Sequence, residues 1–169
     1  GHAHFFGPFL YRSPFWSSTE EEECARALAH LEELIKFEGP SNIAALLLES
    51  VVGSAGIIPP PPGYLAGVRE LCTKYGIVYI ADEVMVGFGR VGTWFGFQQY
   101  LDDSQTPDLI TFAKGVNSGY VPLGGVIISN EIADSFAERM FPGGLTYSGH
   151  PLACASAVAN IEVLKEQRV

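Results

Sequence analysis

The sequence predicts an α/β fold, a mostly parallel sheet flanked by helices. Short, wholly apolar runs alternate with longer segments of helical period, which is how strand and helix layers read in sequence. The apolar runs lack an in/out alternation, so each reads as a strand buried on both faces, as parallel strands are. With 47% apolar residues in 169, there is enough material for a sizeable core, and the length fits one domain or part of one.

Residues 1–17 hold Phe5, Phe6, Pro8, Phe9, Tyr11, Pro14, Phe15 and Trp16 without a strand or helix period. They predict an irregular segment that packs against parts of a longer chain. At Ser18-Thr19-Glu20-Glu21-Glu22 a capping box begins a helix, with acidic residues at the positive end of its dipole. Cys24, Leu28, Leu31, Leu34 and Ile35 recur at helical spacing until Gly39-Pro40 stops it. Ile43 to Leu48 is the first strand. Gly63 to Tyr75 is helical, Ile77 to Ala81 is the second strand and ends at Asp82-Glu83, Asp108 to Ala113 is the third and ends at Lys114, and Leu123 to Ile128 is the fourth. Two helices follow, Glu131 to Arg139 and Pro151 to about Lys165, the second rich in alanine at positions 153, 155, 157 and 159 and so able to pack closely.

Ten Lys and Arg against nineteen Asp and Glu give a net charge of −9, which disfavours nucleic acid as a partner. No apolar run approaches the roughly 20 residues a bilayer crossing requires, so no membrane partner is expected. Cys24, Cys72 and Cys154 are widely spaced and form no C-x-x-C pair. They read as core thiols in a reducing compartment, the cytoplasm, rather than as a disulfide framework or zinc site. No basic and apolar leader is visible at the start of the sequence.

In open α/β sheets ligands sit beyond the carboxyl ends of the strands. Glu49, Asp82 and Lys114 stand there. A solvated strand end or a simple ion pair explains any one of them. Asp82 and Lys114 each follow apolar residues, however, and both are expected to be largely desolvated, which lowers a lysine's pKa and makes its amine a nucleophile toward an aldehyde. A lysine for the aldehyde and a carboxylate for the protonated ring nitrogen are the pair that pyridoxal phosphate requires. Gly143 to Gly149 offers backbone amides and hydroxyls to a phosphate ahead of the helix at Pro151, although the same residues also read as a plain Gly-rich turn.

The stretch Ile80-Ala81-Asp82-Glu83-Val84-Met85-Val86-Gly87-Phe88-Gly89-Arg90, followed by Phe112-Ala113-Lys114-Gly115 and by Thr146-Tyr147-Ser148-Gly149-His150-Pro151-Leu152-Ala153, resembles the class III pyridoxal-phosphate-dependent aminotransferases. The resemblance spans roughly residues 40 to 165. It implies the central part of a fold-type-I large domain, so that residues 1–169 are a partial cofactor-binding domain without the family's N-terminal segment and C-terminal small domain. It also implies pyridoxal 5'-phosphate as cofactor, held as a Schiff base (the internal aldimine) on Lys114, which then shuttles a proton. Asp82 would bind the pyridine nitrogen, Val84 would pack on the ring, Thr146 would contact the phosphate in the neighbouring subunit of a homodimer or dimer of dimers, and Glu49 would lie near cofactor and substrate. Ser50 stands where many relatives have Pro, and Met85 is an unusual neighbour of Asp-Glu-Val. The reaction implied moves an amino group between an amine or ω-amino acid and a 2-oxo acid such as pyruvate. Phe6-Gly7-Pro8 and Tyr11-Arg12 are similar to the taurine or β-alanine to pyruvate branch.

Two other readings compete. One is a non-catalytic structural piece of such an enzyme. The other is a dinucleotide module, because Gly87-Phe88-Gly89-Arg90-Val91-Gly92 matches G-x-G-x-x-G, but no helix pattern follows it. His2 and His4 lack the further ligands a metal pair needs.

Overall fold

Residues 1–167 are described by a computed structural model. Its sheet has four strands in the order β1 (Ala45–Glu49), β2 (Val78–Asp82), β3 (Leu109–Phe112) and β4 (Gly125–Ile128). The first three are parallel and β4 runs antiparallel to β3, so the mostly parallel sheet expected from the apolar runs is present. Gly125 permits the reversal, since a Cβ there would fall 2.4 Å from the Phe112 ring.

Helix α1 (Glu20–Glu38) begins where the capping signal lies: Thr19 is the N-cap and its hydroxyl accepts from the Glu22 amide at 3.2 Å. The returning Glu22 carboxylate reaches one residue further, to the Ser18 amide at 2.9 Å. The buried stripe of α1 is Glu23, Ala27, Leu31 and Ile35, rotated from the expected one, so Cys24, Leu28 and Leu34 are only half-buried. Helix α2 (Tyr64–Tyr75) lies between Gly63 and Gly76, both in left-handed backbone. It supplies Tyr64, Leu65, Val68 and Cys72 to the core, where they meet Leu46, Tyr79, Ala81 and Ile110 from the sheet.

Burial on both strand faces does not hold. Leu46 is buried, but its neighbour Leu47 is 59% exposed, because α1 and α2 cover one face of the sheet only. Alternation along the strands puts Leu47, Glu49, Ile80, Asp82 and Thr111 on the opposite face.

The start of the sheet is tied together at Asp108. Its Oδ2 accepts from Arg69 Nη1 on α2 at 2.7 Å and from the Tyr79 amide of β2 at 2.7 Å. The Asp108 amide donates to the Tyr79 carbonyl at 2.9 Å, and the Ser129 amide just past β4 donates to the Asp108 carbonyl at 2.9 Å.

Residues 1–17 are irregular apart from a single 3-10 turn, Leu10–Arg12. They pack on α1. Buried Glu23 accepts from the Phe9 amide at 2.7 Å and from the Ser13 hydroxyl, and Arg26 Nη1 donates to the carbonyls of Phe15 and Trp16 at 3.0 and 2.9 Å. Phe6 and Phe15 both lie against His30.

Helix α3 (Asn130–Asp134) is shorter than the predicted Glu131 to Arg139. The Ser135 hydroxyl donates back to the Ile132 carbonyl, and the following bonds, from Phe136 to Ala133 and from Ala137 to Asp134, span three residues and not four. Side-chain competition of this kind favours turns over continued helix. Helix α4 (Pro151–Gln167) buries Ala153 and Ala157. Of the three free thiols only Cys72 is fully buried; Cys24 is half-buried and Cys154 exposed. Burial raises the Cys72 pKa to about 11.

Candidate active site

Because β2 and β3 are parallel neighbours, their carboxyl ends share one edge of the sheet. Asp82 closes β2 opposite Thr111, and Lys114 follows β3 after a single intervening residue, Ala113. Glu49 closes β1 in register with Asp82. Three of the predicted site residues therefore terminate adjacent strands at one edge.

The expected desolvation is not found. Asp82 is half-buried and Lys114 exposed, because β3 ends before Lys114 and the lysine leaves the layer on a 3-10 turn, Lys114–Asn117. That turn is strained at its start: Lys114 has φ +38°, in the region L-residues avoid unless their surroundings fix them there. Its next residue, Gly115, is closely approached: a Cβ there would lie 3.0 Å from the Gly87 carbonyl oxygen and 3.1 Å from Phe88 Cβ. Asp82 Oδ1 accepts from the Val84 amide at 3.0 Å, which turns the chain out of the strand. Val84 itself is half-buried.

The fully buried carboxylate is the next residue, Glu83, with 0% exposure. It accepts from the Ser50 hydroxyl, the Gly96 amide and the Phe97 amide, the last at 2.9 Å. Burial pushes its carboxyl above the ordinary value of 4.5, the three donors oppose the shift and the Asp82 charge adds to it. Glu83 was not singled out from sequence, yet a second acid directly after a buried strand was the available signal.

Glu49 is partly engaged elsewhere. Its Oε2 accepts from the Gly53 amide at 2.8 Å, and it lines a cavity of about 190 Å³ with Phe9, Leu48, Ser50, Pro60 and Tyr64. Neither Asp82 nor Lys114 lines that cavity. Thr146 lies in the exposed stretch 138–149 before α4, and no hydrogen bond joins it to the other candidates. The glycines of the G-x-G-x-x-G run form turns around Phe88, whose ring packs edge-on against Trp94, Phe95 and Phe112. Only a four-residue 3-10 turn, Gly96–Gln99, follows, so no helix terminus is presented to a pyrophosphate. Among the described residues there is no group of three metal-ligating side chains, and no helix is long and apolar enough to cross a membrane.

The edge fits a cofactor with a cationic ring nitrogen at one end and an aldehyde at the other. Asp82 Oδ2 has no hydrogen-bond partner among the described residues, and Lys114 joins none of their ion pairs. The profile of the family Aminotransferase class-III matches residues 1–169. The chain belongs to the class III aminotransferases.

This family is pyridoxal-phosphate-dependent. The chain is 42% identical over 167 residues to gamma aminobutyrate transaminase 3, chloroplastic, of Solanum lycopersicum, matching 96% of this chain and 32% of the relative. A thermostable (S)-enantioselective omega-transaminase from Thermomicrobium roseum superposes with a TM-score of 0.91 at 49% identity, over 98% of this chain and 37% of that one. Taurine:2-oxoglutarate aminotransferase from Bifidobacterium kashiwanohense, in complex with PLP and glutamate, gives 0.91 at 48% identity, over 98% and 36%. The chain thus spans about a third of the length of the relatives it matches.

Proposed function

We propose that the protein containing this chain is a pyridoxal-phosphate-dependent transaminase, moving an amino group between an amine or ω-amino acid and a 2-oxo acid such as pyruvate. The observation that carries the proposal is the opposed pair at the sheet edge: a carboxylate closing β2 and an amine following β3, the amine on strained backbone. When bound, the cofactor supplies an electron sink and a temporary carrier for the amino group.

The chain's own residues then have defined tasks. Asp82 keeps a negative charge beside the ring nitrogen and so keeps that nitrogen protonated. Its Oδ1 is held by the Val84 amide, which leaves Oδ2 for the ring. Lys114 would hold the aldehyde end of the cofactor, and its free amine would take up and return a proton. Val84 packs on one ring face. Glu49 lies near cofactor and substrate, and Thr146 contacts the phosphate from a neighbouring subunit, so that the working unit is a homodimer. The exposed stretch 138–149 around Thr146 supports that assignment, because none of the described residues covers it.

In this reading residues 1–169 are part of the large, cofactor-binding domain. Three free cysteines support a reducing compartment, the cytoplasm. The relatives share the transfer of an amino group and differ in the amine their names carry, so the amino donor stays open.

Reduction with borohydride tests the proposal in the full-length protein mixed with pyridoxal phosphate. The reagent adds hydride to the carbon–nitrogen double bond and leaves a stable secondary amine. Peptide mapping is expected to find the label on Lys114 and to lose it in Lys114→Ala. Label spread over surface lysines would overturn the assignment in favour of a non-catalytic structural piece.

A further inference from the structure

The turn that carries Lys114 is held from outside by one side chain. Asn160, on the face of α4 that also buries Ala153 and Ala157, donates from Nδ2 to the carbonyls of Gly115 at 3.0 Å and Val116 at 3.1 Å. Its Oδ1 accepts from the Ser118 hydroxyl at 2.7 Å. Two backbone carbonyls can only accept, so the amide nitrogen must face them, and the one remaining contact has a donor for the oxygen. The set of partners fits asparagine and rejects aspartate, whose carboxylate would stand against two carbonyl oxygens.

The backbone under this clamp needs support. Lys114 at φ +38° and Ser118 at φ +53° are both non-glycine residues in the left-handed region, and such residues persist only where neighbouring groups over-determine them. From the inner side, buried Asn117 donates to the Val121 carbonyl at 2.6 Å and accepts from the Gly119 amide at 3.2 Å. Gly115 is pressed against the Gly87 carbonyl. From the outer side, Asn160 supplies the hydrogen bonds. The two buried alanines preceding it on α4 are small enough to let that helix approach the turn closely.

We propose that Asn160 is a positioning residue for Lys114: by gripping the carbonyls of the two residues after the lysine, it fixes the left-handed backbone that decides where the amine sits. The proposal rests on the assignment of Lys114 to the cofactor, and its test separates the two. In the full-length protein, Asn160→Ala loses the clamp, Asn160→Asp also adds repulsion, and Ser118→Ala, at an exposed position, removes a single bond.

Two measurements are made on each variant: hydrogen exchange of residues 115–118, and the rate at which borohydride fixes pyridoxal phosphate to Lys114. Loss of the three hydrogen bonds of Asn160, at the low end of ordinary net strength, corresponds to roughly a tenfold effect. Exchange is expected to rise by about that factor in the turn, with α1 and α2 unchanged, and labelling of Lys114 to fall in the order wild type, Ser118→Ala, Asn160→Ala, Asn160→Asp. A residue that merely stabilised the fold would raise exchange throughout. Even exchange across the molecule, or labelling of Lys114 at the wild-type rate in Asn160→Asp, overturns the proposal. If wild-type Lys114 takes no label, the cofactor assignment falls, and the clamp is judged by exchange in the turn alone.

Discussion

Between Ala27 and Ile110 the chain assembles one continuous apolar cluster from α1, α2 and three strands. Among the described residues after Lys114 the only buried side chains are those of Val116, Asn117, Ala153 and Ala157, while Tyr120, Val126, Ile127, Ile128, Leu145, Tyr147, Leu152, Val158 and Val163 stand exposed. Both regions have similar sequence character, so what separates them is the number of layers available to cover each strand or helix. The described residues leave this apolar surface uncovered. Lys114 lies at the boundary: its strand belongs to the packed region and its turn is held by the open one.

Several measurements would break or sharpen this contrast. The largest effect is expected in the packed region. Leu31→Ala, at a side chain 2% exposed, should cost about 2–5 kcal/mol in urea unfolding of the intact protein. A loss below that range would mean the cluster is not the stabilising core.

Next is Glu83→Gln, expected to cost about 1–3 kcal/mol at neutral pH, because a side-chain NH₂ must then face one of the three donors that now meet the carboxylate. The two proteins should also differ in pH dependence. The Glu83 carboxyl titrates above 4.5 in the fold, so in that window the folded state keeps a proton the unfolded chain has lost. Its contribution is complete below the unfolded value and declines as pH rises through the folded one. The glutamine variant should lack this decline.

Glu32 gives the opposite sign and a smaller effect. Hydrogen bonds from Lys74 and Tyr75 lower its pKa to about 2, so its contribution is present above 4.5 and is lost as pH falls toward 2. Glu32→Gln should flatten the acid limb of a stability–pH curve. Smallest of all is a change in the open region, where Ile127→Ser on β4 should shift intrinsic stability by no more than about 0.5 kcal/mol in this chain taken alone. A large loss there would show that β4 is covered within these residues.

The sequence was most legible where the signal is local. Thr19 and the four glutamates after it mark the start of α1, glycines bracket α2, and apolar runs locate β1 to β3 within two residues. The neighbouring placement of Asp82 and Lys114 follows from that order. What could not be read depends on partners far along the chain. Asn160 meets the carbonyl of Gly115, 45 positions earlier, and nothing around Asn160 announces it. The burial of Glu83 depends on amides 13 and 14 residues later. Exposure of Leu47 and Lys114 reversed an expectation drawn from hydrophobicity alone, since an apolar run states that a face can be covered and not that a covering layer is present. The early end of α3 reflects side-chain competition at Ser135 that periodicity does not register.

Asp108 gives the sheet an anchor. It ties β2, β3, α2 and the exit of β4 together at the end where the strands begin, and at the opposite rim the Glu83 amide donates to the Thr111 carbonyl at 2.9 Å. Arg69 and Asp108 therefore set the register of β2 against β3 from one end, and the bond between Glu83 and Thr111 carries that register to the rim where Asp82 and Lys114 stand.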